Sequence, residues 1–317
     1  MSVNVLVTNH DDLPAMVKSL LVKREKARGL GNFADSDHLR DEIKKLGYLV
    51  NDLPTQTGNS GSLEVLKIGD ESIKPAKNFL LLFGSGEIAS SSVDIYRQTF
   101  LQLNKRHLKI SLVTTPAGFQ PNVDHVYGEI KDFFVSSLPD FNLVINIIPA
   151  NNKDDANNLK IINDLDNSDI IFMGPGSPTY AVKHLRGTLL LEKIIDHVKK
   201  GSTLILSSAA TLACSTHCLP VYEIFKVGED LYWQEGLNLY KEIWQEISII
   251  PHFNNTEGGA DLDTSYCYLG RNRATKLLAM LPPSTSVLGI DEHTALVIDL
   301  KEGTNSIRGK GTTHKVL

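Results

Sequence analysis

The sequence predicts an α/β fold: a mostly parallel sheet sandwiched by helices, preceded by a small helical hairpin. Three observations carry this. From Asn78 onward short apolar runs alternate with helical segments, the order that builds a parallel sheet covered on both faces. The loops after several of these runs are rich in small residues and lie at the carboxyl ends of the strands, where such sheets bind ligands. Before residue 60 the pattern differs, with two stretches of helical period separated by Gly29-Leu-Gly31.

In chain order, Leu13 to Arg28 and Phe33 to Leu46 form the hairpin. Asp52-Leu-Pro-Thr-Gln-Thr-Gly-Asn-Ser-Gly61 follows, a polar run with one proline and two glycines that reads as a linker or extended loop. The hairpin segment is therefore placed at 1–60, with its linker reaching about residue 76, and the α/β domain at 77–317. Within that domain the expected strands are Phe79 to Phe83, Ile110 to Val113, Leu143 to Ile148, Ile170 to Met173 and Thr203 to Leu206. The helices between them are Val93 to Leu103, Val123 to Leu138, Ala156 to Leu165 and Leu189 to Lys199. A helix near Ser265 to Leu281 and strands near Ser286 to Ile290 and Ala295 to Leu300 complete the chain.

Composition narrows the function. With 317 residues and 42% hydrophobic content the chain can bury a sizeable core. A net charge of −5 gives no general attraction to nucleic acid or anionic lipid. No apolar run approaches the roughly 20 residues of a membrane span, and the opening residues lack the pattern of a secretory signal. Three cysteines are an odd number that suits a reducing compartment, so a cytoplasmic location and no membrane contact are expected. Cys214-Ser-Thr-His217-Cys218 lacks a clear fourth metal ligand, Cys267 being distant, and reads better as small buried hydrophobes. Neither a metal nor an organic cofactor is expected.

The chemistry concentrates at Leu204-Ile-Leu-Ser-Ser-Ala-Ala-Thr211 and, 44 positions after Ser208, at His252 within Ile249-Ile-Pro-His-Phe-Asn-Asn255. This reads as a strand, a sharp turn bearing a serine and a helix start, then a second strand ending at a histidine. A hydroxyl is a poor nucleophile until a base takes its proton and fixed donors await the oxyanion. A strand-to-helix turn meets both needs, lifting Ser208 above the sheet edge and aiming the Ala209 N–H at the developing charge. Serine is also favoured as a plain helix N-cap. Glycine-rich loops Gly84-Ser-Gly-Glu87, Thr114-Thr-Pro-Ala-Gly118 and Gly174-Pro-Gly-Ser-Pro178 fall at the same edge. His217 and His293 compete with His252 as base, the first only nine positions beyond the serine and the second at the start of a late strand.

Over about residues 78 to 300 the chain resembles the aspartyl dipeptidase and cyanophycinase family of serine peptidases, which share the class I glutamine-amidotransferase-like fold. Leu206-Ser-Ser208-Ala-Ala210 aligns with the family's Gly-x-Ser-Ala-Gly, with Leu206 and Ala210 replacing the glycines. Pro251-His-Phe-Asn-Asn255 aligns with Pro-His-Phe-Thr-Asn, and Gly289-Ile-Asp-Glu-His-Thr-Ala-Leu-Val297 with Gly-Ile-Asp-Glu-x-Thr-Ala. Gly-Pro-Gly-Ser-Pro-Thr-Tyr and Pro-Val-Tyr-Glu-Ile together are similar to an amidotransferase-like branch. The resemblance implies Ser208 as nucleophile, His252 as base and a carboxylate between them in sequence, Glu223, as third member. Glu229 and Asp230 are alternatives to Glu223. It further implies Ala209 and Gly176 as oxyanion donors, and Gly174, Ser177, Glu87 and Asn254 as substrate contacts. Glu87 can instead cap the next helix, and Arg271 and Arg273 can pair with a substrate carboxylate. The implied activity is cleavage of an amide or peptide bond in a small, acidic or aminoacyl substrate through an acyl-enzyme.

A second resemblance covers about residues 15 to 58. Arg24-Glu-Lys-Ala-Arg28 and Phe33-Ala-Asp-Ser-Asp37-His-Leu-Arg40-Asp41, continued by Gly47, Asp52 and Pro54, are similar to the C-terminal hairpin of cysteinyl-tRNA synthetases. The synthetase catalytic signatures are missing from the sequence, so aminoacylation is not expected. Lys23, Arg24, Lys26 and Arg28 form a basic cluster able to touch the phosphates of tRNA, nearly cancelled by Asp35, Asp37, Asp41 and Glu42. The hairpin can equally serve as a docking element on a synthetase or as a homodimer contact. A non-catalytic amidotransferase-like module tethered in this way is the alternative to a hydrolase.

Overall fold

The computed structural model describes residues 13–53, 62–67, 77–105 and 107–317. The chain divides into two compact units, Met1–Pro75 and Ala76–Leu317.

In the first unit α1 (Ala15–Gly29) and α2 (Phe33–Lys45) pack as a hairpin. Asn32 starts α2 by accepting the Asp35 N–H, and Gly47, at φ +88°, ends it in a left-handed turn. Val17, Leu20 and Leu21, at the spacing of one helical face, bury against Ile43, Val50 and Val65. The last two belong to an antiparallel strand pair, β1 (Tyr48–Leu53) and β2 (Ser62–Lys67), which the helical reading missed. Asp52 and Leu53, expected to open a linker, pair with Leu63 and Ser62. Two helices alone would leave their apolar stripe wet, and the strand pair covers it. Of the rest of the expected linker, 62–67 forms β2, and 54–61 and 68–76 lie outside the described residues.

The second unit holds, in chain order, β3 (Phe79–Phe83), α3 (Val93–Leu101), β4 (His107–Val113), α4 (Val123–Ser137), β5 (Asn142–Ile148), α5 (Leu159–Ile162), β6 (Ile170–Met173), α6 (Pro178–Leu185), α7 (Leu189–Lys199), β7 (Thr203–Ser207) and α8 (Ala209–Ala213). There follow β8 (His217–Cys218), β9 (Gln234–Glu235), α9 (Leu239–Ile243), β10 (Ser248–Ile250), α10 (Arg271–Leu278), β11 (Val287–Ile290), β12 (Thr294–Asp299), β13 (Asn305–Gly309) and β14 (Thr313–Lys315). The main sheet has seven strands in the order β13-β12-β3-β7-β6-β4-β5. From β3 to β5 neighbours are parallel, whereas β12 and β13 run antiparallel. A smaller sheet, β10-β11-β14, lies beside it, with β10 and β11 parallel.

The central strands β3, β7 and β6 are covered on both faces, which is why they read as continuous apolar runs, whereas the edge strand β13 alternates. Leu80, Leu82, Leu204 and Leu206 enter one core, while Leu81, Phe83, Phe172 and Ile205 enter the other. Two expected helices are interrupted. Residues Ala156 to Leu165 carry only the short α5 between two 3₁₀ turns, because Asn158 caps a new start by accepting the Lys160 N–H. Residues Ser265 to Gly270 precede α10 as a turn in which Tyr266, Cys267 and Tyr268 all have positive φ, a conformation no right-handed helix accommodates. Cys214, Cys218 and Cys267 are all buried free thiols, and burial raises each one's pKa.

An aromatic cluster anchors the second core. Phe134 is fully buried and its ring lies 5.0–5.9 Å from those of Tyr96, Phe133 and Phe172. Phe134→Ala should therefore cost about 3–5 kcal/mol, read as a lower denaturation midpoint in urea.

Candidate active site

Ser208 stands at the carboxyl end of β7, sharing a cavity with Gly176 and Pro178 from the loop after β6. The residue ends β7 with φ 49° and ψ −112°, a strained conformation that turns the chain sharply into α8. The turn is held from two sides: the Ser208 N–H reaches the Phe83 carbonyl at 3.4 Å, and the Ser208 carbonyl accepts the Leu212 N–H at 3.2 Å. Leu206 and Ala210, which replace the glycines of the resembled motif, are buried in the first core, so the tight turn forms without flanking glycines. The hydroxyl makes no N-cap bond. It meets His252 Nε2 instead, at 2.9 Å.

His252 reaches this position because of strand pairing. β10 and β11 run parallel with Ile250 beside Gly289, so residues just past their ends emerge at one edge. His252 sits at φ 50°, its N–H donating to the Gly84 carbonyl at 3.2 Å and its carbonyl accepting the Cys267 N–H at 3.1 Å. The approach depends on Gly84, where a Cβ would stand 2.1 Å from the Asp291 carbonyl oxygen.

The partner of His252 Nδ1 is Glu292, at 2.8 Å, and not Glu223. Asn255 donates to the same Glu292 oxygen at 2.9 Å, and Asn254 accepts the Glu292 N–H at 2.8 Å. The hydrogen bond to His252, supported by that from Asn255, outweighs burial and holds the Glu292 carboxyl below the usual glutamate pKa. Glu223 was expected as the third member from its place between serine and histidine in sequence. It lies in a π-helical turn, Glu223–Val227, and its Oε1 accepts the Thr179 hydroxyl at 2.6 Å. Glu229 and Asp230 are exposed. Of the competing histidines, His217 lies in β8 facing Trp233, and His293 follows Glu292 with its N–H on Ser85.

Ser208 and His252 line a cavity of about 430 Å³ together with Gly176 and Ala209. Gly176, at φ +147°, passes so close to Pro116 that a Cβ would stand 1.9 Å from its carbonyl oxygen. Lys226, Glu257 and Tyr268 also line the cavity, Tyr268 with its ring 5.6 Å from that of His252. The other expected contacts lie elsewhere. Ser177 caps α6 and faces a neighbouring cleft, and the buried Gly174 packs on the Phe172 ring. Glu87 is buried, and its carbonyl accepts the Ser92 and Tyr96 hydroxyls. Asn254 braces the Glu292 loop, while Arg273 bonds the Leu269 and Tyr268 carbonyls and the Arg271 N–H reaches Asp263.

The model of peptidase family S51 matches residues 80–305, spanning all the elements that carry this serine, histidine and glutamate. The chain belongs to peptidase family S51. Consistent with that, it is 26% identical over 155 residues to peptidase E of Escherichia coli strain K12, covering 47% of this chain and 59% of that protein. The solved structure of a peptidase from an acI-B1 actinobacterium superposes with a TM-score of 0.57 at 21% identity, covering 76% of this chain and 91% of the other. That likeness shows the fold. Outside the S51 region, residues 10–57 match the cysteinyl-tRNA ligase anticodon binding domain. There the chain is 44% identical over 45 residues to the cysteine–tRNA ligase of Caldicellulosiruptor saccharolyticus, 14% of this chain and 10% of that ligase. Among the described residues no helix is long and apolar enough to cross a membrane.

The lowered Glu292 pKa carries a sign. The folded state favours the carboxylate more than the unfolded chain does, so this contribution is fully present above the usual glutamate value of 4.5 and is lost as pH falls through the lower native value. In melting curves measured from neutral pH to below 4.5, Glu292→Gln should start less stable and lose less of its stability on the acid side than the parent.

Proposed function

We propose that the protein is a serine hydrolase that cleaves an amide or peptide bond in a small substrate through an acyl-enzyme. The hydrogen-bonded series from Ser208 through His252 to Glu292, opening on one cavity, is the observation that carries this reading. Ser208 Oγ attacks the carbonyl carbon as its proton passes to His252 Nε2, forming the tetrahedral oxyanion. Glu292 holds the Nδ1–H tautomer and stabilises the imidazolium, and the N–H groups of Ala209 and Gly176 receive the oxyanion. His252 then gives its proton to the leaving amine as the carbon–nitrogen bond breaks. Water, deprotonated by the same imidazole, releases the acid and restores the Ser208 hydroxyl.

The cavity's size favours a small substrate. Lys226 and Glu257 on its wall supply one positive and one negative charge, suited to an acidic or aminoacyl substrate that carries both a carboxylate and an ammonium.

A second reading, for the amino-terminal unit, is contact with tRNA, supported by the anticodon-binding-domain match. The basic cluster presents itself only in part. Lys23 and Lys26 are exposed, whereas Arg24 is buried and paired with Glu25 at 2.8 Å. Replacing Lys23 and Lys26 by Ala should weaken tRNA binding in filter assays and reduce its salt slope by about two units.

Ser208→Ala should abolish covalent labelling by a fluorophosphonate probe. Glu292→Gln should keep the geometry but lower the acylation rate by about four orders of magnitude. Undiminished labelling of either variant refutes its assigned role.

A further inference from the structure

Beside the serine cavity lies a larger open cleft of about 710 Å³. One strip of chain separates the two: Gly176 and Pro178 face the serine cavity, Ser177 between them faces the cleft, and Tyr222 lines both. A molecule reaching across Tyr222 would touch both spaces.

The cleft offers positive charge, an open ring and an unanswered acceptor. Lys153, Lys183 and Arg186 line it against a single carboxylate, Glu223. Arg186 is already committed, paired with Glu235 at 2.9 Å and donating to the Glu235 and Gly236 carbonyls. Lys153 and Lys183 are exposed, and among the described residues neither ammonium is ion-paired. Between them His184 accepts the Lys153 N–H at 3.1 Å, and burial together with the fields of Lys183 and Lys153 lowers its pKa. Its neutral ring packs 4.1 Å from Tyr180, which packs 5.3 Å from Phe119. Phe119 is 47% exposed, so the aromatic row ends in an open ring at the cleft. Glu223 gives one oxygen to Thr179, but its Oε2 is buried without a hydrogen-bond partner among the described residues. Such an acceptor is costly unless a ligand donor completes it.

We infer that this cleft holds the nucleotide end of an acylated nucleotide: phosphate between Lys153 and Lys183, base on Phe119, and a ribose hydroxyl donating to Glu223 Oε2. An acidic peptide would answer the lysines, but a nucleotide brings the phosphate, the flat ring and the hydroxyl together. The inference rests on the acyl-transfer reading of Ser208 and names its leaving group. The nucleotide-bearing amine takes the proton from His252 as its bond to the acyl carbon breaks.

Adenosine 5′-monophosphate is the probe, titrated calorimetrically into the full chain. Saturable binding is expected, weakened at least about tenfold in Lys153→Ala/Lys183→Ala and retained by Ser208→Ala. The bound nucleotide should also slow fluorophosphonate labelling of Ser208. Lack of saturable binding, binding indifferent to the two lysines, or displacement by tetra-aspartate at concentrations below that of the nucleotide would overturn the inference. Binding that leaves labelling unchanged would overturn the joining of the two cavities. The titration needs no catalysis, so a parent protein that takes no label would refute the hydrolase reading separately.

Discussion

Everything at the site depends on a single backbone constraint, the positive φ of Ser208 where β7 turns into α8. An L-residue in this region is strained by about 1–3 kcal/mol and stays there only if its surroundings leave no alternative. Here β7 is hydrogen-bonded between β3 and β6, so the strand end cannot slide, and Leu206 and Ala210 fix the chain on either side in a dry core. The strain lifts the hydroxyl away from the capping position serine ordinarily takes and presents it to His252.

Strain is not confined to the serine. His252, His293 and the run Tyr266, Cys267 and Tyr268 also have positive φ, all on segments that wrap the histidine and glutamate. Their backbone groups interlock. Cys267 donates to the His252 carbonyl, Tyr266 to that of Phe253 and Phe253 to that of Ile290, so each left-handed residue is held by neighbours that are themselves constrained. The central strands of the main sheet, buried on both faces, supply the stability against which this cluster is maintained.

The legibility of the sequence follows from how local each signal is. Strands β3 and β6 have the bounds their apolar runs predict, because burial on both faces leaves a continuous apolar run bounded by polar or small residues. The meeting of Ser208 and His252 was likewise readable, each ending an apolar strand. Glu292 was within reach, since it stands in the Gly289 to Val297 stretch already singled out. A search limited to carboxylates between serine and histidine passed over it. Only the parallel pairing of β10 with β11 brings residues 40 positions apart together, and such pairing is a tertiary fact. The π-helical turn at Glu223 and the left-handed turn at Tyr266 to Tyr268 have apolar patterns that also fit a strand or a helix. Strands β1 and β2 were missed because a polar, proline-bearing segment separates their short apolar runs.

The division of labour between the two sheets of the second unit has a mechanical consequence. His252 follows β10 of the small sheet and Ser208 follows β7 of the large one, while Glu292 stands in the short connection from β11 of the small sheet to β12 of the large one, tied to the His252 loop through Asn254 and Asn255. A change in the spacing of the two sheets would therefore bear on the Glu292 connection as well as on the contact between Ser208 and His252. At this crossing Gly84 passes the Asp291 carbonyl so closely that no side chain fits between them. The chain thus staples the two sheets together covalently at the very connection that holds the His252 imidazole.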